Sequence, residues 1–175
     1  MRSAWRAERY HRRMIEQGEQ APDFALPDQH GQLVRLSELR GSPVVVYFYP
    51  KADTPGCTKQ ACSLRDHAGD YERLGVRVLG ISPDPVARLE RFDQKYGLGF
   101  TLLSDEDHAV AERYGVWVKK SMYGREYFGI QRATFIVDGD GVVMHVIPKV
   151  SPATHDEEVL RVLQLSSAEA SGASA

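Results

Sequence analysis

Two kinds of apolar patterning alternate along the chain: short runs in which almost every position is apolar, and longer stretches in which apolar residues recur every three or four positions. The first marks strands covered on both faces, the second helices with one covered face. Residues 43–49, "PVVVYFY", are β-branched or aromatic almost throughout and predict a central strand. Ahead of it, "PDFALPD" and "GQLVRLSEL" flank a turn at Asp28 to Gly31 and predict a short hairpin. After it, a helix is predicted from about Pro55 to Leu74, stopped by Gly75. "VRVLGIS" (76–82) reads as the next buried strand. Asp84 offers an N-cap and Pro85 a first helical residue, with Val86, Leu89, Phe92 and Tyr96 at helical spacing and Gly97 as the stop.

Further on, "FTLLS" predicts a strand and "DHAVAERYG" a short helix. "ATFIVD" and "VVMHVI" bracket "DGDG", a hairpin signal. That loop lacks the third acidic position and closing Glu of a calcium loop. A last helix is predicted from near Pro152, carrying Val159, Leu160 and Leu163. The β-α-β-α order calls for right-handed crossovers and parallel strands, and the closing hairpin adds antiparallel ones. The expected architecture is one α/β domain, a mixed central sheet flanked by helices, with the hairpin at its N-terminal end. Its expected limits are 20–165, after a helical or frayed extension (1–19) and before a small, polar, disordered tail (166–175).

Composition narrows the function classes. A chain of 175 residues, 42% apolar and 26% charged, is proportioned as a soluble globular domain. A net charge of −2 with no pooled basic segment beyond the N-terminus gives no reason to expect nucleic acid. No apolar run approaches the ~20 residues of a membrane span. "MRSAWRAERYHRRMIEQGEQ" has no apolar core for a secretory signal, and Glu8, Glu16 and Glu19 speak against a transit peptide. The expected compartment is the cytoplasm, where thiols stay reduced, so a permanent structural disulfide is the weaker reading of the two cysteines.

Those cysteines stand five positions apart in "YPKADTPGCTKQACSLRD" (49–66). Pro50 ends the preceding strand, Thr54 is a good N-cap and Pro55 a good first residue, which places Cys57 in the first helical turn. Free backbone N–H groups and the positive end of the helix dipole favour an anion there, and a thiolate is both that anion and the nucleophile. Gly56 leaves the site uncovered. Cys62 lies past the first turn, and in an intact helix its Cα would be roughly 8–9 Å from that of Cys57. A disulfide needs about 4.4–6.8 Å, so the helix start must unwind for the two sulfurs to meet. Two small core cysteines are the plain alternative, stronger for Cys62 than for Cys57. A metal site on Cys57, Cys62 and His67 is disfavoured because steps of five residues scatter side chains around a helix.

"PKADTPGCTKQAC" (50–62) resembles the active-site motif of the peroxiredoxins, P-x-x-x-T-x-x-C. A second Cys five positions on is similar to the bacterioferritin-comigratory-protein, or peroxiredoxin Q, subfamily. "APDFALPDQHG", "VVVYFYPKADTPGCT", "SLRD", "RYGVW" and "GIQRATFIVD" extend the likeness in the right order over residues 20 to 165. The resemblance implies a thioredoxin-like fold and a thiol peroxidase. Cys57 would be the peroxidatic cysteine, oxidised by peroxide to sulfenic acid, and Cys62 the resolving one, closing an intramolecular disulfide. Thr54 would hydrogen-bond the peroxide, Pro50 would shield the pocket, and Arg132 would hold the thiolate and the charge on the departing oxygen. The implied partners are hydrogen peroxide or an organic hydroperoxide and a dithiol donor, thioredoxin or a glutaredoxin-type protein, acting on a monomer. No metal, haem or flavin is implied, because sulfur does the chemistry.

Three rivals are weighed against this. A thioredoxin-like disulfide reductase would pair its cysteines as CxxC and carry a proline where Ala133 precedes Thr134. A Cys-His hydrolase needs a base that nothing in the sequence brings to Cys57, and His67 and His108 read as surface residues. In a partner-binding module with incidental thiols, Cys57 would titrate near the free value of about 8.5. Trp117, Tyr123 and Tyr127 are expected to pack rather than to act.

Overall fold

In the computed structural model, which describes residues 13–172, the chain begins its regular structure with a hairpin of β1 (Ala25–Pro27) and β2 (Leu33–Arg35). It then enters the sheet at β3 (Val44–Phe48) and continues through α1 (Pro55–Asp66), α2 (Ala68–Arg73), β4 (Arg77–Ser82) and α3 (Val86–Tyr96). β5 (Thr101–Ser104), α4 (Ala109–Tyr114), the hairpin β6 (Trp117–Met122) and β7 (Arg125–Ile130), β8 (Ala133–Val137), β9 (Val143–Ile147) and α5 (His155–Gly172) complete it. The main sheet has the order β5-β4-β3-β8-β9, with β3, β4 and β5 parallel and β8 and β9 antiparallel to their neighbours.

β3 takes the centre because all five of its residues are apolar and need cover on both sides. Its alternation feeds two cores. Val44, Val46 and Phe48 join Phe24, Leu79, Phe135 and α4's Tyr114 on one face. Val45 and Tyr47 join Cys57, Ala61 and Leu64 of α1, Phe92 of α3 and Val159 and Leu163 of α5 on the other. Tyr47 pairs with Gly80 of β4, and a Cβ there would lie 2.7 Å from the Tyr47 ring. The glycine is what lets that ring lie across the sheet toward α5.

Several local expectations are corrected. The helix expected to run to Leu74 breaks at His67 (φ −106°, ψ 17°). The break re-aims α2 so that two side chains meet one carboxylate of α5: His67 Nδ1 lies 2.5 Å from Asp156 Oδ2, and the Tyr71 hydroxyl donates to Asp156 Oδ1 at 2.5 Å. Asp84 does not cap α3, whose N-cap is Pro85; its carboxylate accepts from the Ala52 amide and the Ser82 hydroxyl, both at 2.8 Å.

The ends differ as well. Residues 166–172, expected to be disordered, continue α5, as alanine and glutamate favour. The extension expected over 1–19 falls outside the described residues up to residue 12, but 13–19 are neither helical nor frayed. Met14 and Ile15 pack on the first core, and the Ile15 and Gly18 amides donate to the carbonyls of Tyr114 (3.2 Å) and Val143 (2.8 Å). Gly115 (φ 76°) admits this stretch, since a Cβ there would sit 2.2 Å from the Arg13 carbonyl oxygen.

The β6–β7 hairpin was not expected. It turns at Tyr123 and Gly124, both at positive φ, and leaves Tyr123 99% exposed and Tyr127 42% exposed, so these aromatics do not pack. Trp117 does, stacking on His108 with ring centroids 3.9 Å apart. His108 is therefore partly covered and paired with Glu112, whereas His67 is half exposed.

Candidate active site

The site forms where β3 hands over to α1. The Tyr49 amide still donates to the Ile81 carbonyl (3.1 Å), and half-buried Pro50, lacking an amide, ends the pairing. The loop between Pro50 and α1 is held at each step. Ala52 is fully buried, its N–H on Asp84 and its carbonyl accepting from Arg88 at 3.3 Å. Asp53 adopts the left-handed region (φ 61°) and accepts from the Tyr96 hydroxyl (2.6 Å) and Lys95 (2.9 Å). These two donors hold its carboxyl below the usual carboxylate range. A loop so fixed delivers the helix start in one orientation.

Thr54 occupies the N-cap of α1, but its side chain makes no capping bond; the hydroxyl donates to the Lys51 carbonyl at 2.8 Å. The first-turn amides of α1 are thereby left for another acceptor. Cys57, third in the helix, is 2% exposed. Arg132, the residue before β8, points Nη2 at its sulfur from 3.2 Å and donates through Nη1 to Gln60 Oε1 at 2.6 Å. One guanidinium thus spans Cys57 and the residue a turn further on. Gly56 keeps the approach open, for a Cβ there would lie 3.3 Å from Arg132 Nη2. Lys120 of β6 is within electrostatic reach of both Arg132 and Cys57, and burial, followed by the like charge of Arg132, pushes its ammonium down.

Cys62 is half-buried, and both thiols are free. Held in the same intact helix, it lies on another side from Cys57. The structure therefore brings Cys57 and Arg132 into contact, seats Thr54 and Pro50 at the entrance to the same helix, and keeps Cys62 apart. Among the described residues, no group of three or more His, Cys, Asp or Glu side chains is placed to hold a metal ion. Sequence reasoning missed Gln60, Lys120 and the loop clamps. Gln60 had a signal: a residue three after Cys57 shares its helix face. Lys120 had none, because its hairpin was not foreseen.

A buried sulfur at a helix start, met by a guanidinium, is an arrangement for a thiolate nucleophile. The comparisons with known proteins show the family. Residues 17–146 match the model of the AhpC/TSA family. Peroxiredoxin Bcp of Escherichia coli strain K12 is 50% identical over 150 residues, 86% of this chain and 96% of that one. The crystal structure of peroxidoxin BcpB from Mycobacterium tuberculosis superposes with a TM-score of 0.77 at 38% identity, covering 86% of this chain and 97% of the other. A solved structure of the Xanthomonas campestris bacterioferritin comigratory protein, concerned with that protein's alkyl peroxide reduction activity, gives 0.79 at 34% identity over 82% of this chain and 91% of its own. With its thiol site on a thioredoxin-like sheet, the chain belongs to the AhpC/TSA family, among the peroxiredoxins of the bacterioferritin-comigratory-protein and peroxiredoxin Q kind.

Proposed function

We propose that Cys57 is the peroxidatic and Cys62 the resolving thiol of a peroxidase that reduces hydrogen peroxide and organic hydroperoxides at the expense of a thioredoxin-type dithiol. The observation that carries the reading is the 3.2 Å contact between Arg132 Nη2 and the buried Cys57 sulfur at the start of α1. The thiolate attacks one peroxide oxygen, the O–O bond breaks, and the other oxygen leaves as hydroxide or alkoxide, to be protonated. Arg132 supports the negative charge as it passes from sulfur to oxygen, and the unused helix amides add to that field. Thr54 offers its hydroxyl oxygen to the peroxide proton, and Pro50 keeps bulk water from the entrance.

The resulting sulfenic acid is attacked by Cys62, water leaves, and an intramolecular disulfide remains. The first turns of α1 must open for this step, since roughly 8–9 Å separate the Cα atoms in the helix. Exchange with an external dithiol then restores both thiols. Such a cycle suits a monomer in the cytoplasm; among the described residues, no helix is long and apolar enough to cross a membrane.

Intact-mass spectrometry after one equivalent of peroxide tests the cycle. The wild-type protein is expected to lose about 2 Da, mapped to one bond between Cys57 and Cys62. Cys57→Ser is expected to consume no peroxide, and Cys62→Ser to be oxidised once and then stall. Steady turnover of Cys62→Ser with thioredoxin would overturn the resolving role.

A further inference from the structure

A second polar group lies behind Arg132. His155, the first residue of α5, is 1% exposed and hydrogen-bonded through both ring nitrogens. Nδ1 is 3.1 Å from Gln60 Nε2, and Nε2 is 2.7 Å from the hydroxyl of Thr134 on β8. The chemistry of the groups fixes the direction of every bond. A guanidinium only donates, so the Gln60 atom 2.6 Å from Arg132 must be the carbonyl oxygen. The amide nitrogen therefore faces His155 and donates to Nδ1, which must carry a lone pair. The ring proton then sits on Nε2 and is donated to Thr134.

We propose that His155 is a positioning residue for the peroxidase reaction, holding the Gln60 amide in the one orientation that fixes Arg132 on the Cys57 sulfur. The inference rests on the roles proposed for Cys57 and Arg132. Were the ring protonated, an N–H would face the Gln60 NH2, and the amide could satisfy it only by withdrawing its oxygen from Arg132. Burial, and then the charge of Arg132, lower His155 to about 4 and keep the ring neutral. The groups around it are Gln60 from α1, Arg132 and Thr134 at the start of β8, the Tyr47 ring of β3 with its centroid 5.7 Å away, and Asp156 next to it on α5. Asp156 is engaged by Tyr71 and His67 instead. Gln60 is itself wholly buried, so its amide has no water to turn to if His155 is lost.

The test uses the full-length chain with Cys62→Ser, so that Cys57 is the one thiol read. His155→Leu removes the acceptor, whereas His155→Asn can present its side-chain oxygen near the Nδ1 position. The pH profile of Cys57 alkylation by iodoacetamide is expected to move up by roughly one unit in His155→Leu and to return most of the way in His155→Asn. The rate of the single oxidation by hydrogen peroxide should fall about tenfold and recover in parallel, the scale expected for a group that orients a reactive partner. In a Gln60→Leu background, His155→Leu should have no further effect on either readout. A wild-type alkylation profile in folded His155→Leu, equal impairment of the Leu and Asn variants, or additivity with Gln60→Leu would each overturn the proposal. Because alkylation needs no peroxide, a wild-type Cys57 inert to peroxide would sink the peroxidase reading while this comparison still decides the role of His155.

Discussion

At the scale of single residues, the site depends on how little room surrounds Arg132. Alanine for glycine in an exposed helix stabilises by up to about 1 kcal/mol. At position 56 the added methyl would meet Arg132 Nη2 at 3.3 Å and Pro152 Cγ at 3.6 Å, so the guanidinium nitrogen that faces the sulfur must give way by a few tenths of an ångström. Gly56→Ala is therefore expected to keep its stability to within about 1 kcal/mol while its single-turnover oxidation by hydrogen peroxide, followed by stopped flow, slows by roughly tenfold or more. An unchanged rate would mean that Arg132 can move without consequence. Cys57 was legible in the sequence because the features that place it at a helix start are local: the cap position, the proline and the glycine all lie within a few residues of it, whereas the Arg132 guanidinium on its sulfur comes from 75 positions away. The helix face of Gln60 was legible, but its role and that of His155 were not, because the partners that give them meaning lie 72 and 95 positions away along the chain.

Strands of the main sheet were legible because they are buried, and the exposed β6–β7 hairpin was not. β3 and β8 are covered at all five positions and announced themselves as apolar runs. β6 is exposed at three of its six positions and β7 at four of six, so no alternation marked them, and their turn at Tyr123 and Gly124 carries no Asn-Gly or Asp-Gly signal. The start of α1 could be read from caps, but its end could not, since the contact that accompanies the break at His67 is made to Asp156 on a helix far along the chain. That break has a consequence for the cycle. α1 is a unit of 12 residues whose first turns carry both thiols, separated by a kink from α2, so it can fray while α2 stays in place. Hydrogen exchange should show the amides of 58–62 losing protection by roughly tenfold or more on forming the Cys57–Cys62 disulfide, while β3 and β8 keep theirs. Equal protection in both redox states would mean that the disulfide closes without unwinding, which helix geometry forbids.

For the molecule as a whole, the question is where the stable unit begins and ends. Its last ten residues are small and polar, and the outer turns of α5 are mostly exposed, with Leu165 at 61%. The stretch before residue 20 is of the other kind. Met14 and Ile15 cover the core around Tyr114, the Ile15 and Gly18 amides close hydrogen bonds onto Tyr114 and Val143, and Arg13 pairs with Glu19, all across the face that α4 and β9 would otherwise leave open. Composition could not separate these two ends, because a charged segment with few apolar residues looks expendable until the surface it covers is known. Deleting 1–19 is accordingly expected to cost between about 2 and 4 kcal/mol more than deleting 1–12, from two half-buried side chains and three backbone bonds, the third being the Val143 amide on the Glu19 carbonyl. Deleting 166–175 should change stability by no more than about 0.5 kcal/mol. Urea unfolding of the three truncated proteins reads all of these differences. Equal midpoints for the 1–12 and 1–19 deletions would show that the core closes without Met14 and Ile15, and that the domain begins where the sequence alone placed it.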